Sequence, residues 1–149
     1  MVTEKPTLTF VSTRFLFPTD SGGKIRTTQI LRGLKGGKLR IRLVMPCENE
    51  QVQQFSREIE SVCDELVTWE VSEVPALWTL ARKASWLARA EPIPVISDWS
   101  RQGSRVVAQE LDRKPDVVVF DFPHSAVLAP ATIDCPSVMF THNIEAEIF

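Results

Sequence analysis

Apolar residues fall in short blocks along this chain, and the spacing inside the blocks changes from one to the next. The run LTFVST (8–13) is compact, apolar and β-branched, and predicts a buried strand. KIRTTQILRGLK (24–35) carries Ile25, Ile30, Leu31 and Leu34 near one helical face, and Gly36-Gly37 stops that helix. LRIRLVMP (39–46) alternates and then runs apolar, a second strand ending at Pro46. Val52, Phe55 and Ile59 recur at helical spacing in an otherwise polar stretch, and ELVTWEV (65–71) predicts a third strand. PALWTLARKASWLARA (75–90) predicts an amphipathic helix, with Pro75 suited to its first turn. The two prolines of EPIPV break it, and Ser97 is expected to cap a helix in DWSRQGSRVVAQELDRK. PDVVVFDFP (115–123) holds a short apolar strand with an acidic tip, and PSVMFTHN (136–143) another with a polar tip.

Apolar strands alternating with helices predict an α/β fold: a parallel, doubly wound, Rossmann-like sheet covered on both faces. The 149 residues suit one domain, and that length can bury a core without staples. No internal repeat or low-complexity segment interrupts it. The chain ends at IEAEIF, within what reads as a newly started helix, so a piece of a longer protein is expected.

Composition narrows the partners. Apolar residues make up 44% and charged residues 24%, with a formal net charge of −2, so no general attraction to nucleic acid is expected. Cys47, Cys63 and Cys135 are odd in number and lack CxxC spacing, which argues for free thiols in a reducing compartment and against a metal site. No signal peptide opens the sequence, and no run approaches the ~18 apolar residues of a membrane span. A cytoplasmic location follows as the expectation, with a peripheral contact at the inner membrane face left open.

Ligands of parallel α/β sheets bind beyond the carboxyl ends of the strands. That rule gathers Asp20 to Lys24 after the first strand, Asp121 to His124 after the 116–120 strand, and Thr141, His142 and Asn143 after the last. Both histidines of the chain are in this set. Gly22 and Gly23, ahead of a helix, can let backbone N–H groups approach an anion, with Lys24 and Arg26 adding charge. Equally, they can be two turn glycines. A bulky side chain at Gly23 is expected to block an anion without touching the core. Asp121 reads either as a cap or solvated loop acid, or as an acceptor for a substrate hydroxyl. The histidines read either as satisfied loop residues or as ligand contacts. GxGxxG and GxxxxGK[ST] are both absent, and a triad of Ser125, His124 and Asp121 is discounted because sequence neighbours rarely reach that geometry and no GxSxG elbow is present.

The strand followed by FPTDSGGKIRTTQILRGL and then IRLVMP resembles the start of the N-terminal domain of GT-B glycosyltransferases, in the large retaining group often called family 4. KPDVVVFDFPHSAVLAP and PSVMFTHNIEAEIF resemble that domain's acceptor-side loops and closing strand, so the resemblance spans nearly the whole chain. It implies that residues 1–149 are the acceptor-side domain, and that a C-terminal nucleotide-sugar-binding domain lies beyond. It implies Gly22, Gly23, Lys24 and Arg26 at the donor diphosphate, Asp121 and His142 as catalytic residues, and His124 and Asn143 on the acceptor side. Asp121 stands where family members often have histidine. The implied partners are a nucleotide-sugar, which is a substrate and not a cofactor, and a sugar or lipid-linked acceptor, in cell-envelope or exopolysaccharide synthesis. No metal is implied. The chain alone is expected to be inactive and to self-associate weakly through its open cleft face. A non-catalytic phosphate- or nucleotide-binding module is the alternative. A receiver-like domain is disfavoured, because VSTRF and VTWEVS lack the acids it needs.

Overall fold

The computed structural model of the protein describes residues 5–70 and 98–141. The expected helix at 75–90, its proline break and Ser97 lie outside them. Five strands, β1 (Thr7–Val11), β2 (Arg40–Pro46), β3 (Glu65–Trp69), β4 (Val117–Asp121) and β5 (Ser137–Phe140), form one sheet. Every pairing is parallel, and the order is β3-β2-β1-β4-β5. Phe10 in the middle of β1 sits between Leu43 of β2 and Val119 of β4. The chain builds outward from β1 to β3, then crosses back to lay β4 against the other side of β1. The sequence expectation of an α/β, all-parallel, doubly wound sheet therefore holds.

Alternation along the strands supplies two cores. Leu8, Phe10, Ile41, Leu43 and Met45 face one way and pack with Leu31 of α1 (Gly22–Leu34) and with Ile59, Val62 and Cys63. Between the strands β2 and β3 run α2 (Asn49–Gln54) and α3 (Ser56–Glu60). Val11, Val44, Trp69, Val118 and Phe120 face the other way, against Val107 of α4 (Arg101–Asp112) and Leu128. Leu128 closes a 3₁₀ turn, Ala126–Leu128, that follows the short α5 (Phe122–Ser125). Each fully buried aliphatic side chain contributes about 1.5–3 kcal/mol of transfer free energy, so both layers matter to stability.

Three local expectations change. The buried face of α1 is Thr27, Thr28 and Leu31, while Ile25 and Ile30 are 42% and 38% exposed. Two polar residues turn inward because each has a partner. Thr27 reaches the buried Asp121, and Thr28 returns its hydroxyl to the carbonyls of Lys24 and Ile25 at 2.8 and 3.0 Å. The expected single helix around residues 50–60 breaks at Phe55, whose ring instead meets Phe15 and Phe17, with ring centroids 5.7 and 6.0 Å away. Ser100 caps α4, accepting from the Gly103 N–H at 2.8 Å. A Cβ on Gly103 would stand 3.0 Å from the Trp69 ring, so glycine lets α4 close onto β3.

At the opposite end of the sheet from the strand tips, Arg42 is nearly buried between two carboxylates. Its Nε lies 3.1 Å from Glu65 Oε2 and 3.3 Å from Glu110 Oε2, in ion-pair contact rather than a well-directed hydrogen bond. Arg113 reaches the same two acids at 2.8 and 2.9 Å. This network ties β2, β3 and α4 together. Among the described residues, no helix is long and apolar enough to cross a membrane.

Candidate functional site

The carboxyl ends of β1 and β4 lie side by side where the strand order reverses, the position at which open parallel sheets bind ligands. β4 ends on Asp121 and β1 runs out into Ser12. Asp121 is only 4% exposed. Its Oδ1 accepts from the Thr27 hydroxyl at 3.0 Å, and the Ser12 hydroxyl lies 3.4 Å from its Oδ2. The same Ser12 oxygen accepts the Arg14 N–H at 3.3 Å and lies 3.1 Å from the Arg14 carbonyl, folding the chain sharply after β1. Asp121 thus joins the ends of β1 and β4 to α1. The cap and solvated-loop readings both fail, for the carboxylate is buried and makes no side-chain cap to α5.

In front of this joint opens a cavity of about 220 Å³, bordered by Arg14, Gly23, Lys24, Asp121, Phe122 and His124 among others. One wall is the start of α1. Gly22 and Gly23 are its first two residues, and Ser21 occupies the N-cap position without a side-chain cap bond. No acidic residue sits in the first turn. The first-turn N–H groups have no intrahelical partner, and they carry the positive end of the helix dipole. Lys24 leans back on the loop, 3.0 Å from Asp20 Oδ1 and 3.4 Å from the Pro18 carbonyl.

Gly23 has a packing role that its sequence context did not reveal. A Cβ there would stand 3.2 and 3.3 Å from Cζ and Cε2 of the Phe122 ring. Around Gly22, by contrast, the space is open. Neither glycine is among the positive-φ residues; Phe122 is, at φ 67°. A bulky residue in the left-handed region is strained, and Pro123 after it disfavours the ordinary helical alternative. From that backbone the ring packs against Gly23.

His124 also borders the cavity, one residue past Pro123. Its Nδ1 is 2.9 Å from Asp98 Oδ2. Arg14 approaches the same carboxylate oxygen at 4.0 Å from its exposed side. Ser125, the third member of the discounted triad, is fully buried and donates to the Phe122 carbonyl at 2.9 Å, so it is turned away from this chemistry.

The chain matches no protein-family model, no curated protein and no solved structure.

Of the residues singled out in the sequence, Gly23, Lys24, Asp121 and His124 border one cavity. Gly22 and Arg26 belong to the same helical turn without bordering it, and both are exposed. His142 and Asn143 lie outside the described residues. Three neighbours carry no sequence signal of their own: Ser12, Arg14 and Asp98. Ser12 and Arg14 directly follow β1, so the strand-end rule covers them as well as the loop from Asp20. Phe122 was among the strand-tip residues but carried no titratable group to mark it. Asp98 carries no motif, since it reaches His124 across 26 residues of sequence. No group of three or more metal-ligating side chains stands together among the described residues. Chemically, the lining brings backbone donors and a cation from α1 together with a carboxylate-anchored imidazole from the turn after β4.

Proposed function

We propose that this chain is the acceptor-side half of a GT-B glycosyltransferase, which transfers a sugar from a nucleotide-sugar to a hydroxyl-bearing acceptor with retention of configuration. The observation that carries the reading is the uncapped start of α1 opening, with Gly23 and Lys24, into a cavity at the point where the sheet order reverses. Backbone N–H groups there suit a diphosphate, and a leaving diphosphate is where charge accumulates as a glycosidic bond to a nucleotide breaks. Fixed donors aimed at that charge do the work that a metal does elsewhere. At about 220 Å³ the cavity is smaller than the ~300–1,000 Å³ of a complete small-molecule site, as suits one side of a cleft that a second domain closes.

Asp121 holds α1 in place through Thr27, and its carboxylate, which borders the cavity, keeps acceptor capacity for a substrate hydroxyl. The test is a titration of the ¹⁵N-labelled chain with pyrophosphate, UDP and GDP. Shifts centred on the amides of Gly22, Gly23 and Lys24 are expected, and their absence with all three overturns the reading. Repeated turnover of nucleotide-sugars by the 149-residue chain alone would also sink it, because half a cleft is not a complete catalyst. Binding of pyrophosphate without transfer by the protein joined to its nucleotide-binding half would favour the non-catalytic module instead.

A further inference from the structure

Charge falls in blocks along this chain, and one block meets an apolar surface. Seven of the 17 lysines and arginines lie between Ser21 and Cys47, a stretch without an acid, although the whole chain carries −2. The next 18 residues, Glu48–Glu65, reverse the balance with six acids and one arginine. Part of each block is used inside the molecule: Lys24 pairs with Asp20, Lys35 with Asp64, and Arg40 and Arg42 with Glu65. Left exposed are Arg26, Arg32 and Lys38, on and just after α1, and Glu48, Glu50, Glu58 and Glu60 along α2 and α3. The two surfaces adjoin. Leu31 of α1 and Ile59 of α3 pack in one core, and Arg32 Nε donates to the Ser61 hydroxyl at 3.3 Å. On α1 the cations flank the exposed Ile25 and Ile30. Helical residues three and four apart align, so Ile25 shares a stripe with Gln29 and Arg32, and Arg26 with Ile30 and Gly33. One side of the sheet thus carries a basic, partly apolar strip beside an acidic one.

We propose that this side of the molecule is the interface with a second copy of the chain, related by a two-fold axis that sets α1 of each copy against α3 of the other. A two-fold contact makes every pairing twice, so basic meets acidic at two places, and Ile25 and Ile30 leave water between them. The presence of both signs on one surface is what selects the partner. An anionic lipid or nucleic acid would draw in Arg26, Arg32 and Lys38 but meet four exposed acids beside them. A second copy satisfies both strips with one contact. Ile25, Ile30 and Arg32 are not among the residues that border the cavity, so the contact uses a different face from the cleft. It does not depend on the glycosyltransferase reading, and it is not the self-association through the cleft that the sequence suggests.

The experiment is sedimentation equilibrium of the 149-residue chain in low and high salt. A contact made of a few surface charges and two isoleucines belongs to the weak, transient class, so a dimer is expected at about 100 μM chain in about 50 mM salt, and mostly monomer in about 500 mM. Two charge variants carry the test. Arg32→Glu with Lys38→Glu makes both strips acidic, and Glu58→Lys with Glu60→Lys makes both basic. Each variant alone should self-associate at least about tenfold more weakly than the wild type, and an equimolar mixture of the two should recover the dimer. All four residues are exposed, and circular dichroism checks that each variant folds. Where one does not, Arg26→Glu and Glu50→Lys make the same pair. A wild-type chain that stays monomeric at both salts overturns the proposal. A dimer indifferent to salt and to both variants also overturns it, and points to another face such as the exposed Val138 and Met139 of β5. A mixture that fails to associate has the same consequence. If the monomeric chain instead pellets with phosphatidylglycerol vesicles, the basic strip faces lipid and the proposal fails.

Discussion

Replacing Gly23 by valine puts three carbons where the Phe122 ring leaves no room. The first of them, Cβ, would already stand 3.2 Å from Cζ and 3.3 Å from Cε2. Alanine adds only that carbon. The ring borders the cavity and can retreat a few tenths of an ångström into it, at about 0.5–1.5 kcal/mol for leaving its rotamer. Removing glycine from a helical position returns about 0.4–1 kcal/mol through the unfolded chain. The two nearly cancel, so Gly23→Ala should change stability by less than about 1 kcal/mol. Valine adds two methyl groups to a closed contact, and overpacking of that kind costs about 1–3 kcal/mol. In a domain of this size that is a fall in Tm of about 2–12 °C. Gly22→Ala is the internal control: its Cβ meets nothing within 4 Å, and it should stabilise by about 0.4–1 kcal/mol. Urea melts of the three variants give the free energies, and pyrophosphate titrations give the affinities. Gly23→Val should lose both stability and affinity, unlike the sequence expectation of lost function alone. If it melts with the wild type while Gly22→Ala does not gain, the Phe122 contact is not what demands glycine at 23. If it loses stability but binds pyrophosphate normally, the glycine serves packing and the anion reading of this turn is wrong.

Thr27→Val removes the 3.0 Å donor to the buried Asp121 carboxylate and should cost about 1–3 kcal/mol, read as a lower urea midpoint with an unchanged slope; an unchanged midpoint would show that Asp121 does not depend on α1. Burial raises all three thiols, Cys63 to about 11, but Cys135 alone is half-exposed, so a thiol-exchange reagent at pH 7.5 should modify Cys135 well before the buried Cys47 and Cys63, and fast labelling of Cys63 in the folded protein would contradict its packing. Stability should fall in acid through Asp64 and Glu65. Burial pushes both carboxyl groups up, but it is outweighed by Lys35 and the Ile41 N–H at Asp64, and by Arg113 and Arg42 at Glu65, so both lie below their ordinary values of 3.8 and 4.5. Groups easier to ionise when folded give stability that is whole above those ordinary values and is lost as pH falls through the lower folded ones. Urea midpoints measured down to pH 2.5 should therefore drop below about pH 4.5, and Glu65→Gln should flatten the drop.

The sheet was legible because its signal is dense and local. Five apolar blocks with turn residues between them allow little besides alternating strands and helices, and β1 to β5 fall within a residue or two of where those blocks lie. The orientation of α1 was only half legible. Leu31 and Leu34 pack on the core as their spacing suggests, yet Thr27 and Thr28 face the sheet while Ile25 and Ile30 are exposed. The reason is 94 residues away: a carboxylate buried at the end of β4 needs a donor, and an unpaired one would cost more than an exposed isoleucine forgoes. Pattern reading weighs each segment by itself and has no access to that partner. Ser100 in place of Ser97 is a smaller instance, since a cap is defined by where the backbone turns.

The candidate site divides along the same line. Residues that the strand-end rule could reach, Gly23, Lys24, Asp121 and His124, were within sight because topology alone brings the ends of β1 and β4 together. What each does there depends on contacts that skip along the chain. Asp121, read as a ligand contact, also takes the Thr27 hydroxyl and lies beside Ser12. Gly23, read as an opening for an anion, is also the seat of an aromatic ring. The two roles of Gly23 are compatible because they use different atoms. The missing Cβ makes room for Phe122, and the backbone N–H belongs to an uncapped first turn. Phe122 at positive φ links the halves. The turn that brings its ring onto α1 also leads into His124, beside Asp98. A change that relaxed Phe122 would therefore be felt at Gly23 and at His124 together, since one turn bears on both.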